Sequence, residues 1–217
     1  REILNKPGRF EQAEWEVMKS HPIKAVKTLL SIKGFQESDI KKMMAAFEHH
    51  RNFDCSGYPQ MGIHKPMNFY SKMVAIADAY DAMTSDRVYQ RALPPTAALK
   101  ILLDHSGTKF DPLLVKAFIN TVGIYPVGTV LRMKSGEIAL VISPNNDPAK
   151  LALPKIKIIG DREGNLFDGG DEFDLALQEG TSPRLGIEMV LRPEDYRINV
   201  AHYLFSELTK ENLPLLH

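Results

Sequence analysis

The hydrophobic pattern of this chain changes period once, and that change constrains the architecture more than any other feature. Up to about residue 122, apolar residues recur at steps of three and four, as on one face of a helix. After Tyr125-Pro126-Val127-Gly128 they come in short runs: 129–133, a Lys134-Ser135-Gly136-Glu137 turn, then 138–142. That order predicts a β-hairpin. Residues 155–159, a loop over 160–165 and a polar turn at 168–172 predict a second hairpin, and 193–208 returns toward helix. The expectation is a mainly α chain, with a helical bundle over 1–122 and a small β-rich C-terminal extension over 123–217.

Within the helical part, 11–20 carries Ala13, Trp15 and Met18 behind a Pro7-Gly8 turn. Pro22 sits where a helix opens, with Ala25, Val26, Leu29 and Leu30 as its apolar face and Gly34 as its stop. Ser38 is the expected N-cap of a third helix running to His50 and burying Ile40, Met43, Met44 and Phe47. The longest helix is expected over 69–85, with Met73, Ile76, Ala77, Tyr80 and Met83 facing inward. Two more follow at 95–105 and 111–122.

Composition narrows the function. Lys plus Arg and Asp plus Glu both total 27, and a net charge of zero argues against a bulk binder of nucleic acid or anionic membrane. No apolar run reaches the length that spans a bilayer. One cysteine excludes an internal disulfide and suits a reducing, cytoplasmic setting. The chain begins at Arg1 inside what reads as a continuing segment, so further residues are expected upstream.

The chemistry concentrates in His49-His50-Arg51-Asn52-Phe53-Asp54-Cys55-Ser56-Gly57-Tyr58-Pro59. Two adjacent imidazoles are poor core material and good ligands for first-row metals. On a helix, adjacent residues point about 100° apart, so both rings serve one centre only near a terminus or kink. The Gly-Tyr-Pro turn supplies that break. His21 lies between two predicted helices. Asp78 sits among Val74, Ala75, Ile76, Ala77 and Tyr80, surroundings that predict burial, and a buried carboxylate needs a partner such as a metal.

These motifs, in this order, resemble the HD-GYP phosphohydrolases, a branch of the HD-domain superfamily that hydrolyses cyclic di-GMP. The matching runs are Leu4 to Gly8, Trp15 to Pro22, His49 to Pro59, Ile76 to Ser85 and Asp86-Arg87-Val88-Tyr89, continuing through Phe110-Asp111-Pro112 and Gly123 to Gly128. The resemblance implies that His21, His49, His50 and Asp78 ligate two or three divalent ions, Fe or Mn foremost, with Zn and Ni also compatible. Such a centre polarises a phosphodiester and stabilises the leaving oxygen of an in-line displacement. It further implies that Arg87 holds substrate phosphate, and that Tyr58 lines the site and contacts a partner, with a diguanylate cyclase domain as the expected partner of the Gly-Tyr-Pro loop. The product is expected to be linear pGpG or GMP.

The sequence also departs from that family. Its His-Asp pair, with the downstream Lys, would precede Leu4 and is not in this chain. Arg51 replaces the usual Glu after the histidine pair, Cys55 replaces a Gly, and Gln90 stands at a position that is commonly basic. A degenerate domain that senses nucleotide or docks a partner without turnover is therefore the alternative, with an HD phosphohydrolase for another nucleotide as a third. Gly169-Gly170-Asp171-Glu172-Phe173 spells a diguanylate cyclase signature, but too little chain surrounds it for a cyclase domain, and a polar turn is expected there.

Overall fold

The structure is a computed structural model that describes residues 6, 8, 10–32, 36–62, 65–86, 91–178 and 185–205. The chain divides into two compact units, residues 1–93 with 97–118, and residues 94–96 with 119–217.

The first unit is helical. Its elements are α1 (Gln12–Lys19), α2 (His21–Leu30), α3 (Glu37–Glu48) and α4 (Phe69–Thr84), followed by α5 (Pro95–Asp104) and α6 (Pro112–Val122), which run on into the second unit's residues. Pro22 is placed in the first turn of α2 and is buried there. The start of α3 differs from expectation. Gln36, not Ser38, is its N-cap, because Asp39 Oδ2 reaches back to the Gln36 N–H at 2.9 Å and closes a capping box. Gly34 lies outside the described residues.

α4 corrects a second expectation. Ser71, Ala75 and Ile76 are its buried residues, while Met73, Val74, Ala77 and Asp78 are exposed. This helix is apolar nearly all round, so periodicity alone does not identify its inner face. Ser71 decides it: its hydroxyl lies 2.7 Å from Glu48 Oε2, with Met44 O also in reach at 3.1 Å, and that turns Ala75 inward one turn later. Ile40, expected inside α3, is likewise 46% exposed. Among the described residues of this unit, the buried apolar ones are Met67, Ala75, Ile76, Ala98, Leu99, Leu102, Phe110 and Val115.

The second unit is organised by a five-stranded antiparallel sheet of order β4-β3-β2-β1-β5. Its strands are β1 (Val130–Met133), β2 (Ile138–Ser143), β3 (Lys155–Gly160), β4 (Glu172–Asp174) and β5 (Ile187–Leu191). Both expected hairpins are present, as β1–β2 and β3–β4. β5 has no counterpart in the sequence reading, since Ile187-Glu188-Met189-Val190-Leu191 lacks strict alternation; it pairs with β1 as an edge strand. Alternate residues serve two apolar layers. Leu131, Met133, Ala139, Val141, Ile156 and Ile158 face one side, and Val130, Ile138, Leu140 and Ile159 the other. Tyr196, from a 3-10 turn at Pro193–Tyr196, and Val200, Tyr203 and Leu204 of α7 (Val200–Phe205) close the second layer. Helix predominates overall, yet this unit owes its core to strands, so a mainly α description holds only in part.

The Gly169–Phe173 stretch is used by the sheet. A side chain at Gly170 would collide with the Ile158 carbonyl, the Asp171 carbonyl accepts from Ile158 N–H, and Phe173 packs on the core.

Candidate metal centre

α3 ends at Glu48, and His49 is its C-cap. The chain then reverses. Arg51 and Gly57 form an antiparallel bridge, and Tyr58 N–H donates to His50 O at 3.2 Å. Gly57 makes this possible with a φ of +85°, and a Cβ there would come within 2.5 Å of His50 O. The Asp54 carboxylate accepts from Ser56 N–H and Oγ at 2.9 and 2.6 Å, tightening the loop. The loop is also tied to the segment after α5, through Phe53 N–H to Lys109 O and Asp54 N–H to Thr108 O, both at 3.0 Å. Cys55 sits at the top with a φ of +69°, a left-handed conformation suited to the glycine that the family motif carries.

The helix end solves the problem of two adjacent rings. Away from regular helix, the His49 and His50 rings come to 4.1 Å between centroids. His21, at the first turn of α2, adds a third ring at 5.3 Å from His49 and 4.9 Å from His50. One nitrogen of each of the three rings lies within 4.8 Å of the others, the one such group among the described residues.

The protons on these rings can be assigned. His21 Nδ1 donates to Met18 O at 2.6 Å, and His49 Nδ1 donates to Ala46 O at 3.0 Å. A carbonyl only accepts, so in the neutral rings both protons sit on Nδ1. With both rings neutral the two Nε2 atoms face each other as lone pairs at 3.3 Å, and a proton on either one makes the contact a hydrogen bond. Two acceptors at that distance repel unless a cation lies between them. Ligand nitrogens at the usual bond length of about 2.0–2.1 Å from one metal are about 2.9–3.4 Å apart, so the separation fits. Burial, then the neighbouring His49, His21 and Lys109, push His50 down to about 4, which keeps it neutral at pH 7, the form that ligates.

Tyr58 stacks on His50 at 4.7 Å and 31°, and its other edge meets Trp15 at 6.3 Å. Burial, then the Asp78 carboxylate, raise its hydroxyl above the ordinary value of 10.0. Tyr58 therefore remains a protonated donor at neutral pH. With Lys19, Gly57, Pro59 and Gln60 it lines an open cleft of about 420 Å³. Asp78 is close enough to act on Tyr58 but stands outside the three-histidine group and is exposed rather than buried. Arg87 and Gln90 lie outside the described residues.

Arg51 does not point at the histidines' metal-facing nitrogens. It is 2% exposed, and its guanidinium donates to Glu48 Oε1 at 3.3 Å and to Lys65 O at 2.8 Å. Glu48, fully buried, is the residue that the sequence reading missed, and Lys19 in the cleft is another. A signal for Glu48 was available: an acid three residues before an Arg on a helix end is an ion-pair spacing.

Comparison with known proteins follows the same lines. The family model described as HD domain matches residues 1–114. A cyclic di-GMP phosphodiesterase of Pseudomonas aeruginosa is 31% identical over 186 residues, covering 86% of this chain and 44% of that protein. A cyclic di-GMP phosphodiesterase response regulator of Xanthomonas campestris is 37% identical over 118 residues, 54% of this chain and 30% of its own. A 3'3'-cGAMP-specific phosphodiesterase of Vibrio cholerae is 28% identical over 124 residues, 57% and 26% of the two chains. The chain spans less than half the length of each of these relatives. With an HD-domain match over more than half its length, and three imidazoles converging at the His-His to Gly-Tyr-Pro loop, this chain belongs to the HD-domain family.

Proposed function

We propose that this chain carries the phosphodiesterase site of a metal-dependent hydrolase acting on cyclic di-GMP, with linear pGpG or GMP as product. The observation that carries the reading is the convergence of the His21, His49 and His50 rings, with the His21 and His49 Nε2 atoms 3.3 Å apart, a separation that two ligands of one metal also take. His21, His49 and His50 hold divalent metal, Fe or Mn foremost, with Asp78 adding a carboxylate from α4. When bound, the metal polarises the phosphodiester and neutralises charge that develops in an in-line displacement. The protein groups do the remaining work. The Tyr58 hydroxyl, kept protonated, donates to a phosphate oxygen, and Lys19 supplies a cation at the edge of the cleft. Arg87 is assigned to substrate phosphate, which suits a planar two-pronged donor. The substrate class rests on relatives whose names specify cyclic dinucleotides, and a relative matched over most of this chain is named for cyclic di-GMP.

The test is hydrolysis of cyclic di-GMP by the Mn- or Fe-loaded protein, with 3'3'-cGAMP as competitor and metal content confirmed by elemental analysis. Turnover of cyclic di-GMP to a linear product is expected, with slower turnover of the competitor. Full metal content with neither dinucleotide hydrolysed would favour a nucleotide-sensing domain instead.

A further inference from the structure

The residues flanking the histidine pair carry opposite charges and are both buried. Glu48 is fully buried and Arg51 is 2% exposed. Between them the backbone leaves the helix, with Arg51 N–H donating to Glu48 O at 2.7 Å. Each side chain is anchored to a different stretch of chain. Glu48 Oε2 accepts from Asn68 N–H at 2.8 Å and from Ser71 Oγ at 2.7 Å, both at the start of α4. Arg51 donates from Nη2 to Lys65 O at 2.8 Å and from Nη1 to Met61 Sδ at 3.3 Å. The carboxylate and guanidinium close the circuit at 3.3 Å.

Burying both members of an ion pair is a poor way to gain stability, because desolvation consumes most of the attraction. What the arrangement does supply is direction. The two residues pin the chain on either side of His49 and His50, so the backbone between them has one path. His49 is further held by its own Nδ1 donation to Ala46 O, whereas the His50 ring packs on the rings of His21, His49 and Tyr58. The pinned path is what aims His50.

We infer that Glu48 and Arg51 are positioning residues: a buried, charge-compensated strap that holds His49 and His50 at the helix end in the orientation that a metal requires. The inference rests on the proposed metal site. It also removes an objection to that site. Arg51, standing where the family motif has an acid, is neutralised by Glu48 and turned into the protein, so it adds no net cation beside the metal.

The test uses the full chain and a double variant, Glu48→Met with Arg51→Met, which replaces the strap by apolar side chains of similar length. The single variant Arg51→Met would leave a buried carboxylate without its cation, so failure to fold there is uninformative and the double variant is the one read. Two measurements are made: nitrogen-15 spectra of the histidine rings in metal-free protein, and Mn titration. Wild type should show His49 as a single Nδ1–H tautomer. The folded double variant should show shifted, averaged His49 and His50 rings and Mn affinity weaker by about 10–100-fold, the usual cost of losing groups that orient a ligand. Unchanged ring signals with unchanged Mn affinity in the folded double variant would overturn the inference. Shifted rings in the variant, together with no Mn binding by wild type, would support the strap and defeat the metal reading on its own.

Discussion

In the C-terminal sheet the completely buried side chains among the described residues are Leu131, Met133, Ile138, Ala139, Leu140, Val141, Ile156 and Ile159, all apolar. At the end of α3 the completely buried side chain is Glu48, facing Arg51 and Ser71. The helical unit meanwhile leaves apolar side chains in solvent, among them Leu30 at 57%, Ile32 at 58% and Phe69 at 57% exposure. A sheet with both faces covered gains stability from apolar area, at about 25 cal/mol for each Å² removed from water. The α3 terminus instead commits its interior to charges and hydrogen bonds, which contribute little net stability but fix direction. The contrast teaches where to look for chemistry: the ligating groups stand where packing has been given over to orientation.

Substitutions can break that contrast or sharpen it. The largest effect is expected at His49→Ala, which should weaken Mn binding by more than about 100-fold while the metal-free protein unfolds at nearly the wild-type temperature. Calorimetry and elemental analysis check this, and a large drop in melting temperature would make His49 a packing residue after all. Leu140→Ala should cost about 2–5 kcal/mol in chemical denaturation, as large-to-small changes in a sealed core do. A cost below about 1 kcal/mol would erase the distinction between the two interiors. Ser71→Ala removes a donor from the buried Glu48 carboxylate and should cost about 1–3 kcal/mol, more than the loss of a surface hydroxyl.

Two smaller effects refine the picture. Cys55→Gly should stabilise by about 0.5–1 kcal/mol, since a side chain in the left-handed region costs about 1–2 kcal/mol and the added freedom of glycine offsets part of the relief. Destabilisation by that change would show that the thiol, near the Lys65 carbonyl, has a role of its own. Leu113→Ala, at a residue 78% exposed, should change stability by less than about 0.5 kcal/mol; a larger loss would mean that this surface is covered in solution.

Much of this was legible from residue order. The shift from helical period to hairpins placed β1 and β2 nearly to the residue, because Ser135-Gly136 between apolar runs is a local signal. His21, His49 and His50 were readable as a set because their neighbours form ordered motifs. β5 was not legible, since an edge strand without alternation resembles loop until β1 stands beside it. Ser38 was a sound cap by residue type, but Gln36 and Asp39 closed their box two residues earlier. The expected burial of Asp78 failed for a different reason: a helix apolar nearly all round carries no mark of its inner face.

Sequence by itself therefore determined the helices, the first two hairpins and the break after His50, all properties of residues close together in the chain. Tertiary structure alone decided that His21 Nε2 meets His49 Nε2 across 28 positions, and that Arg51 turns inward to Glu48 rather than outward to a metal. Those are matters of side-chain direction. Direction follows from which helix lies alongside, and no local pattern of residues records it.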